Sequence, residues 1–542
     1  MKQLKNNYLL LLILTCIAIF FVNLDALYVN IMEARNFITA REMLQDGNWL
    51  LTTLNGEPRY QKPPLPTWLT AFSAAIFGLK SLFALRLPAA LSALLLVLFS
   101  YKFSTKLFQD KTYAFISSLI LATSFYIVFS GRNGQWDIFT HAFMMVCIYQ
   151  LFLFFTSEEK KYQRALIAAL FFGFAFMSKG PVSLYALLLP FLIAFGIVYK
   201  YQKLRSRLLP LLLFLIVGIV ISGWWHWYTF TFDPQATAEI TQKEAENWGS
   251  YNLRPFYYYW SFFTQSGVWT IPAFIGLLYP YLKNRVINKK AYVFTLLWTL
   301  IAVVLLSIIP EKKSRYLMPV LIPLALNTGF YIEYLFRKFS ELKDKRETYP
   351  VYFNFGLIAM IGIIFPIAGY VFLKEGLDGK WIWFILLSLV LFSIGIFILR
   401  NLQKKKIKPV FYLTIAFIAA IICFGMPMAK AVTINKEYNG LSNLNGWQTE
   451  NNVEVYEFSG FTPELIWDYG KPIKVLMEND KINTPSEEKF GVLVSEKDTE
   501  LFKTTFQNYA IEKVVRYDMN AKGKEDRSHK TRLYRDLYLV KK

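Results

Sequence analysis

"PLPTWLTAFSAAIFGL", residues 64–79, decides how this chain is threaded. The stretch is apolar, yet its 16 residues fall short of the roughly 20 that a helix needs to cross a hydrocarbon core about 30 Å thick. Three of the residues at 63–66 are proline, so the run begins rigid and poor in backbone donors, which suits an interfacial or re-entrant helix on the outer face. Thirteen apolar spans then remain, at 7–24, 84–101, 113–130, 137–156, 164–177, 182–199, 208–226, 266–282, 291–309, 317–336, 351–373, 381–399 and 409–428. With residues 1–5 taken as cytoplasmic, the connections 1–6, 102–111, 157–164, 200–207, 283–290, 337–346 and 400–408 all face the cytoplasm. They hold 26 of the 59 Lys and Arg residues, the bias of the positive-inside rule. If 64–79 crossed, every lysine-rich loop from 102 to 346 would change sides.

The composition agrees with a membrane protein. Of 542 residues, 55% are hydrophobic, 18% aromatic and only 18% charged, outside the range of soluble domains. The first run, "YLLLLILTCIAIFFVNL", follows Lys2 and Lys5 and has no small-residue cleavage site, so it reads as a retained anchor. A net charge of +21 would suit nucleic acid, but its concentration in short loops assigns it to topology and excludes that class. Cys16, Cys147 and Cys423 lie in apolar runs and form neither a disulfide framework nor a metal-binding spacing.

An odd number of spans places everything after Met428 outside. The chain therefore divides into a membrane domain, 1–429, with a first outer loop at 25–83, and an outer tail, 430–542. The tail alternates in "VEVYEF", "KFGVLVS", "EKVVRYD" and "RLYRDLYLV" around a helical stretch near 497–509, the pattern of a small α/β domain.

Ionisable residues gather on the outer side. Asp25, Glu33, Arg35, Arg59 and Lys62 lie in the first outer loop, Arg132 and Asp137 in "GRNGQWD", Lys179 in "SKGP", and Lys312, Lys313 and Arg315 in "PEKKSRY". Charged groups at span ends beside Gly and Pro are costly near lipid and mark function, although a single Lys or Arg there also snorkels to the headgroups. Several cations converging with a few carboxylates suit a phosphate-bearing lipid headgroup, with the acids left for proton transfer. Asp137 also reads as a helix cap. His226, among tryptophans, reads as part of an interfacial aromatic belt.

These residues carry a resemblance. "MEARNFITAREMLQDGNWLLTTLNGEPRYQKPPLPTWL", "FALRLPAALSALL", "GRNGQWDIFTHAF", "FGFAFMSKGPV", "RPFYYYW" and "KKSRYLMPVLIPLAL" resemble, in the same order, the ArnT-like and protein O-mannosyltransferase-like membrane glycosyltransferases of the GT-C fold. The likeness covers residues 1–340. It implies an α-helical polytopic fold of about thirteen transmembrane helices with juxtamembrane helices in the first outer loop, and often an outer C-terminal domain. It further implies transfer of a sugar, a hexose or an amino-sugar such as aminoarabinose, from a polyprenyl-phosphate carrier to a glycolipid, glycan or protein acceptor. The site would lie on the periplasmic face of a bacterial inner membrane. At the family's leading acidic position this sequence has Met32, and at its glutamate before the lysine it has Gln61.

The resemblance and the residue pattern together make Arg35, Lys62, Lys179 and Arg315 the expected holders of the donor phosphate. Glu33 is the first candidate for catalytic carboxylate, with Asp137 and Asp25 after it. Arg59, Arg132, Lys313, Tyr316 and Trp68 are candidate substrate contacts. No Asp-x-Asp pair occurs in the first outer loop, and the cations are expected to do the charge work without a metal or other cofactor. A lipid-linked oligosaccharide flippase would place polar residues inside its spans, which here are mostly clean. A scaffold protein recruiting partners through its tail would leave the charged cluster unexplained.

The threading fixes a checkable outcome. Single cysteines at positions 62 and 179 should both react with a membrane-impermeant maleimide added to the outer face, and reaction from opposite compartments would dissolve the shared site.

Overall fold

The computed structural model describes residues 7–433, 435–478 and 481–542. The cytoplasmic placement of residues 1–5, with Lys2 and Lys5, lies outside the described residues. Every one of the thirteen apolar segments is helical. Among the described residues, eight helices are long and apolar enough to cross a membrane, or nine if Lys111–Ala122 and Phe125–Gly131, bent by 68°, form one broken span. The protein is an α-helical, multi-pass membrane protein.

Four helices outside this bundle position the site. The first, α1 (Ile31–Asp46), starts where the Asn30 side chain accepts from the Met32 and Glu33 amides and the Glu33 carboxylate accepts from the Asn30 amide, and it ends at Gly47 in the left-handed region. Such reciprocal capping satisfies donors that a helix start otherwise leaves unpaired. The second, α2 (Leu65–Phe77), is the proline-led stretch. At 13 residues and 1.5 Å per residue it reaches only about 20 Å, too short to cross. Thr67, Thr70, Ser73 and Ala74 are buried against protein, with Ser73 Oγ donating to the Ala84 carbonyl at 2.5 Å, while Phe72, Ile76 and Phe77 are 56–75% exposed. One side thus packs on the bundle and the other offers bulky apolar groups, the arrangement of a helix seated at the lipid interface. The third, α3 (Pro234–Ser250), lies inside residues 227–265, a stretch whose aromatic residues read in the sequence as a long outer loop. The Asp233 carboxylate caps it and Pro234 opens it, a start signal legible in the sequence. The fourth, α4 (Pro463–Tyr469), belongs to the tail.

The basic connections meet one another. Arg207 joins Glu158 at 2.8 Å and Arg285 joins Glu347 at 2.7 Å. Arg337 Nη2 donates to the Arg285 carbonyl and Lys405 Nζ to that of Leu342. The loops from 157 to 408 thus share contacts remote in sequence.

The tail holds a four-stranded sheet of β1 (Val455–Glu457), β2 (Lys489–Val494), β3 (Ala510–Asp518) and β4 (Tyr534–Lys541), in the order β1-β2-β4-β3. β1 and β2 are parallel and the other pairs antiparallel. Across the sheet the Arg535 guanidinium bonds the Glu457 carboxylate at 2.5 Å with both side chains buried, and burial raises the Glu457 pKa to about 7. The sheet and α4 sit directly on α1. Ile38 packs among Leu465, Ile466 and Leu537, the Phe37 and Trp467 rings meet edge-on at 5.4 Å, and Arg41 Nη1 donates to the Ile466 carbonyl. The Asn55 amide both donates to and accepts from the backbone of Ile473, each bond 2.8 Å.

Asn55→Ala removes that two-way bond and leaves two backbone groups without their partner, a loss of about 1–3 kcal/mol at the contact. Limited proteolysis should then release the tail faster than in the wild type, and an unchanged cleavage rate would show that the apolar contacts alone hold it.

Candidate active site

A cavity of about 1180 Å³ opens between α1, the Lys62-Pro63-Pro64 turn, the end of the helix Lys161–Lys179, α3 and the loop 309–316. Five cationic side chains line it: Arg35, Lys62, Lys179, Lys313 and Arg315. They come from four sequence-distant segments, and each is placed by a local device. Arg35 rides one turn into α1. Lys62 is followed by Pro63 and Pro64, whose fixed φ limits where its backbone can go. Lys179 ends its helix because Gly180 has φ 70° and ψ −151°, a conformation that glycine adopts without strain. The loop carrying Lys313 and Arg315 is stitched down by a bridge between Leu253 and Glu311 and by Tyr259, whose hydroxyl bonds both the amide and the carbonyl of Lys313.

The charges are partly balanced in place. Lys179 pairs with the buried carboxylate of Asp137, and Lys313 bonds Glu311 at 2.6 Å. Lys62 stands 3.8 Å from Glu244 on α3. The Tyr316 ring has Lys179, Lys313 and Arg315 at 5.1, 5.6 and 5.8 Å from its centre. Burial lowers the pKa of Lys62 below the usual lysine value, with Glu244 opposing and Lys179 adding to the shift. The pKa of Arg35 is lowered too, first by the protein around it, with Glu464 of the tail opposing and Arg315 adding. A group of cations held short of full hydration favours an anionic ligand.

The structure brings some expected residues together and gives others different work. Tyr316 lines the cavity and donates to Glu311 at 3.2 Å. Asp137 reaches the cavity through Lys179 rather than lining it, and the residue at the helix cap is Trp136. Glu33 does not line the cavity. Its carboxylate accepts from Arg86 at 2.7 and 3.1 Å, from the Gly134 amide at 3.0 Å and from Asn30, with the side chain 1% exposed. It is a structural clamp. Asp25 is exposed and lies outside the cavity lining. Arg132 donates to the Ile19 and Asn23 carbonyls and ties the first span to the loop at 132–136. Arg59 lies over the Trp136 ring at 4.8 Å, behind the lining. Trp68 donates to the Trp49 carbonyl and stacks on Trp224, and it belongs to the packing of α2. Lys312 is buried, with its ammonium on the Arg254 and Ile309 carbonyls.

Sequence reasoning missed Glu244, Glu311 and a cavity place for His226. The helix carrying Glu244 could have been found from Asp233-Pro234 and the helix-forming run after it. Glu311 stood in the quoted "PEKKSRY" but was outnumbered by its cationic neighbours. Met32 and Gln61 line the cavity, so α1 presents a thioether there and no acid. Among the described residues no group of three His, Cys, Asp or Glu side chains stands close enough to hold a metal ion.

The clamp assignment carries its own test. Glu33→Gln strips the counter-charge from a buried guanidinium, and breaking such a pair costs about 3–5 kcal/mol, so yield and melting temperature in detergent should fall. A variant that melts like the wild type would return Glu33 to the list of reactive groups.

Residues 61–227 match the dolichyl-phosphate-mannose-protein mannosyltransferase family. The chain is 23% identical over 349 residues to an undecaprenyl phosphate-alpha-4-amino-4-deoxy-L-arabinose arabinosyl transferase of Proteus mirabilis, covering 62% of this chain and 61% of that one. It is 27% identical over 307 residues to one of Pseudomonas fluorescens, covering 55% of this chain and 51% of that one. It thus spans little more than half the length of the curated relatives it matches. The crystal structure of ArnT from Cupriavidus metallidurans bound to undecaprenyl phosphate superposes with a TM-score of 0.73 over 98% of both chains at 15% identity, a likeness that establishes the fold. Along its length the chain thus has the fold of that ArnT structure, and its family match spans the segments that carry Lys62 and Lys179.

Proposed function

We propose that this protein transfers a sugar from a polyprenyl-phosphate carrier to an acceptor on the periplasmic face of a bacterial inner membrane. The observation that carries the reading is the convergence of Arg35, Lys62, Lys179, Lys313 and Arg315 on one cavity beside a helix seated at the lipid interface. When the bond between the anomeric carbon and the phosphate oxygen breaks, charge grows on the leaving phosphate. Fixed cations placed where that charge develops lower the barrier, because they need not reorganise as it forms. The donor's lipid tail stays in the bilayer, and its headgroup has only to enter the cavity from the interface. The names of the similar proteins support undecaprenyl phosphate-4-amino-4-deoxy-L-arabinose as the donor. The acceptor is a glycolipid such as lipid A, a glycan or a protein reached from the outer side. In this reading the side-chain cations carry the charge compensation, and no metal or other cofactor takes part.

Lys62 is the decisive position, because its pairing partner Glu244 is distant at 3.8 Å and half-exposed, leaving the ammonium available to a ligand. Purified Lys62→Ala should bind undecaprenyl phosphate at least ten-fold more weakly than the wild type and lose about 10²–10³ in transfer rate, while keeping its melting temperature without ligand. Equal binding by the two proteins would refute the phosphate-holding role.

A further inference from the structure

Among the described residues, two carboxylates line the cavity, Glu244 and Glu311. They are held differently. Glu244 sits on α3, a helix with no buried residue among those described, and its side chain is 41% exposed opposite Lys62. Glu311 is 14% exposed on a loop fixed from several directions. The Arg254 amide bonds the Pro310 carbonyl at 3.2 Å and the Lys312 amide bonds that of Asn252 at 3.1 Å. The Lys312 ammonium ties back to Ile309 and Arg254, and Tyr258 meets Ser314 at 3.1 Å. Both side-chain hydrogen bonds to Glu311, from Lys313 and from Tyr316, go to Oε1. Among the described residues Oε2 takes none, so one oxygen is held and the other is uncommitted in a side chain that lines the cavity.

We propose that Glu311 is the catalytic carboxylate that accepts the proton of the acceptor hydroxyl, an assignment that rests on the transfer reaction above. In the step, Oε2 takes the hydroxyl proton as the acceptor oxygen forms its bond to the anomeric carbon. The bond from that carbon to the phosphate oxygen breaks with its electron pair, leaving polyprenyl phosphate among the cations. Glu311 ends protonated on Oε2 and returns the proton to solvent. Lys313 and Tyr316 hold the carboxylate in place beforehand, the geometric condition a general base needs. The other acids are committed elsewhere: Glu33 to Arg86, Asp137 to Lys179, and Glu244 to the lysine that the donor phosphate must reach.

The test uses the full chain in detergent, with undecaprenyl phosphate-4-amino-4-deoxy-L-arabinose as donor and two kinds of nucleophile. One is the solubilised envelope fraction of a deletion strain, and the other is azide, which attacks without losing a proton. Glu311→Gln should bind undecaprenyl phosphate as the wild type does and transfer sugar to the envelope fraction about 10²-fold more slowly or worse. With azide it should form the glycosyl azide as fast as the wild type. Envelope transfer at the wild-type rate would overturn the proposal, and so would equal losses with both nucleophiles, which would mark a structural role. A wild-type protein that neither binds undecaprenyl phosphate nor consumes the donor would instead overturn the transfer reaction itself.

Discussion

The buried pair of Glu33 and Arg86 fixes the direction of α1, and with it the cavity wall that carries Met32 and Arg35. An ion pair 1% exposed on both sides repays its desolvation only when the remaining lone pairs and protons also find partners, and here they do. Arg86 gives its other protons to the carbonyls of Leu24, Leu27 and Tyr28, while Glu33 takes the Gly134 amide and closes the cap at Asn30. Four segments therefore meet at one carboxylate: the end of the first span, the start of α1, the helix Leu82–Phe108 and the loop at 132–136. Gly134 is part of the same junction, since a Cβ there would lie 2.3 Å from the Phe37 ring. With that junction set, α1 can point only one way, and its turn carrying Met32 and Arg35 faces the cavity.

The second constraint is electrostatic. Two like charges about 4 Å apart cost roughly 4 kcal/mol at an effective dielectric of 20, so five cations around one space need local relief. Asp137, Glu311 and Glu244 provide it, together with the faces of Tyr316 and Tyr251, the latter 4.7 Å from Lys313. The relief is graded. Lys179 is paired tightly and only 8% exposed, Lys313 is paired at 2.6 Å, and Lys62 is paired loosely at 3.8 Å. A phosphate entering the cavity gains most from the cations that are compensated least. The gradient thus points the ligand's charge toward the Lys62 turn and toward Arg35 and Arg315, which have no ion pair within 4.0 Å among the described residues, and leaves Asp137 undisturbed behind Lys179.

The membrane fold was legible because its signals are local and redundant: runs of apolar residues, basic short loops, and a proline-led stretch too short to cross. The cation cluster was legible for a related reason, since Gly and Pro beside a charged residue at a span end are unusual enough to stand out. The carboxylates were not. Whether an acid in the first outer loop faces a cavity or a buried arginine depends on Arg86, 53 positions later in sequence, and nothing in "MEARNF" distinguishes the two. Arg132, Arg59 and Trp68 were misplaced in the same way: each stands beside the cavity lining in sequence, but its partners are carbonyls or rings on other elements. The stretch 227–265 was read through its aromatic residues, which hid a capped helix whose own sequence is polar.

Methionine at position 32 separates two tasks that a single wall of the cavity would otherwise combine. A carboxylate on the cavity face of α1 would stand on the same element as Arg35 and would offset the charge that the leaving phosphate needs. With a thioether there, α1 and the Lys62 turn present cations to the cavity and no acid, which suits the proposed hold on a phosphate. The uncommitted acid oxygen lies instead on the stitched loop at 309–316, tethered by Lys313 and Tyr316. In the proposed transfer, charge stabilisation would be shared between α1, the proline turn, the end of the Lys179 helix and the pinned loop, where Lys313 and Arg315 stand beside Glu311. Removing the acid from α1 leaves that loop as the one wall on which cations and an uncommitted carboxylate oxygen meet among the described residues.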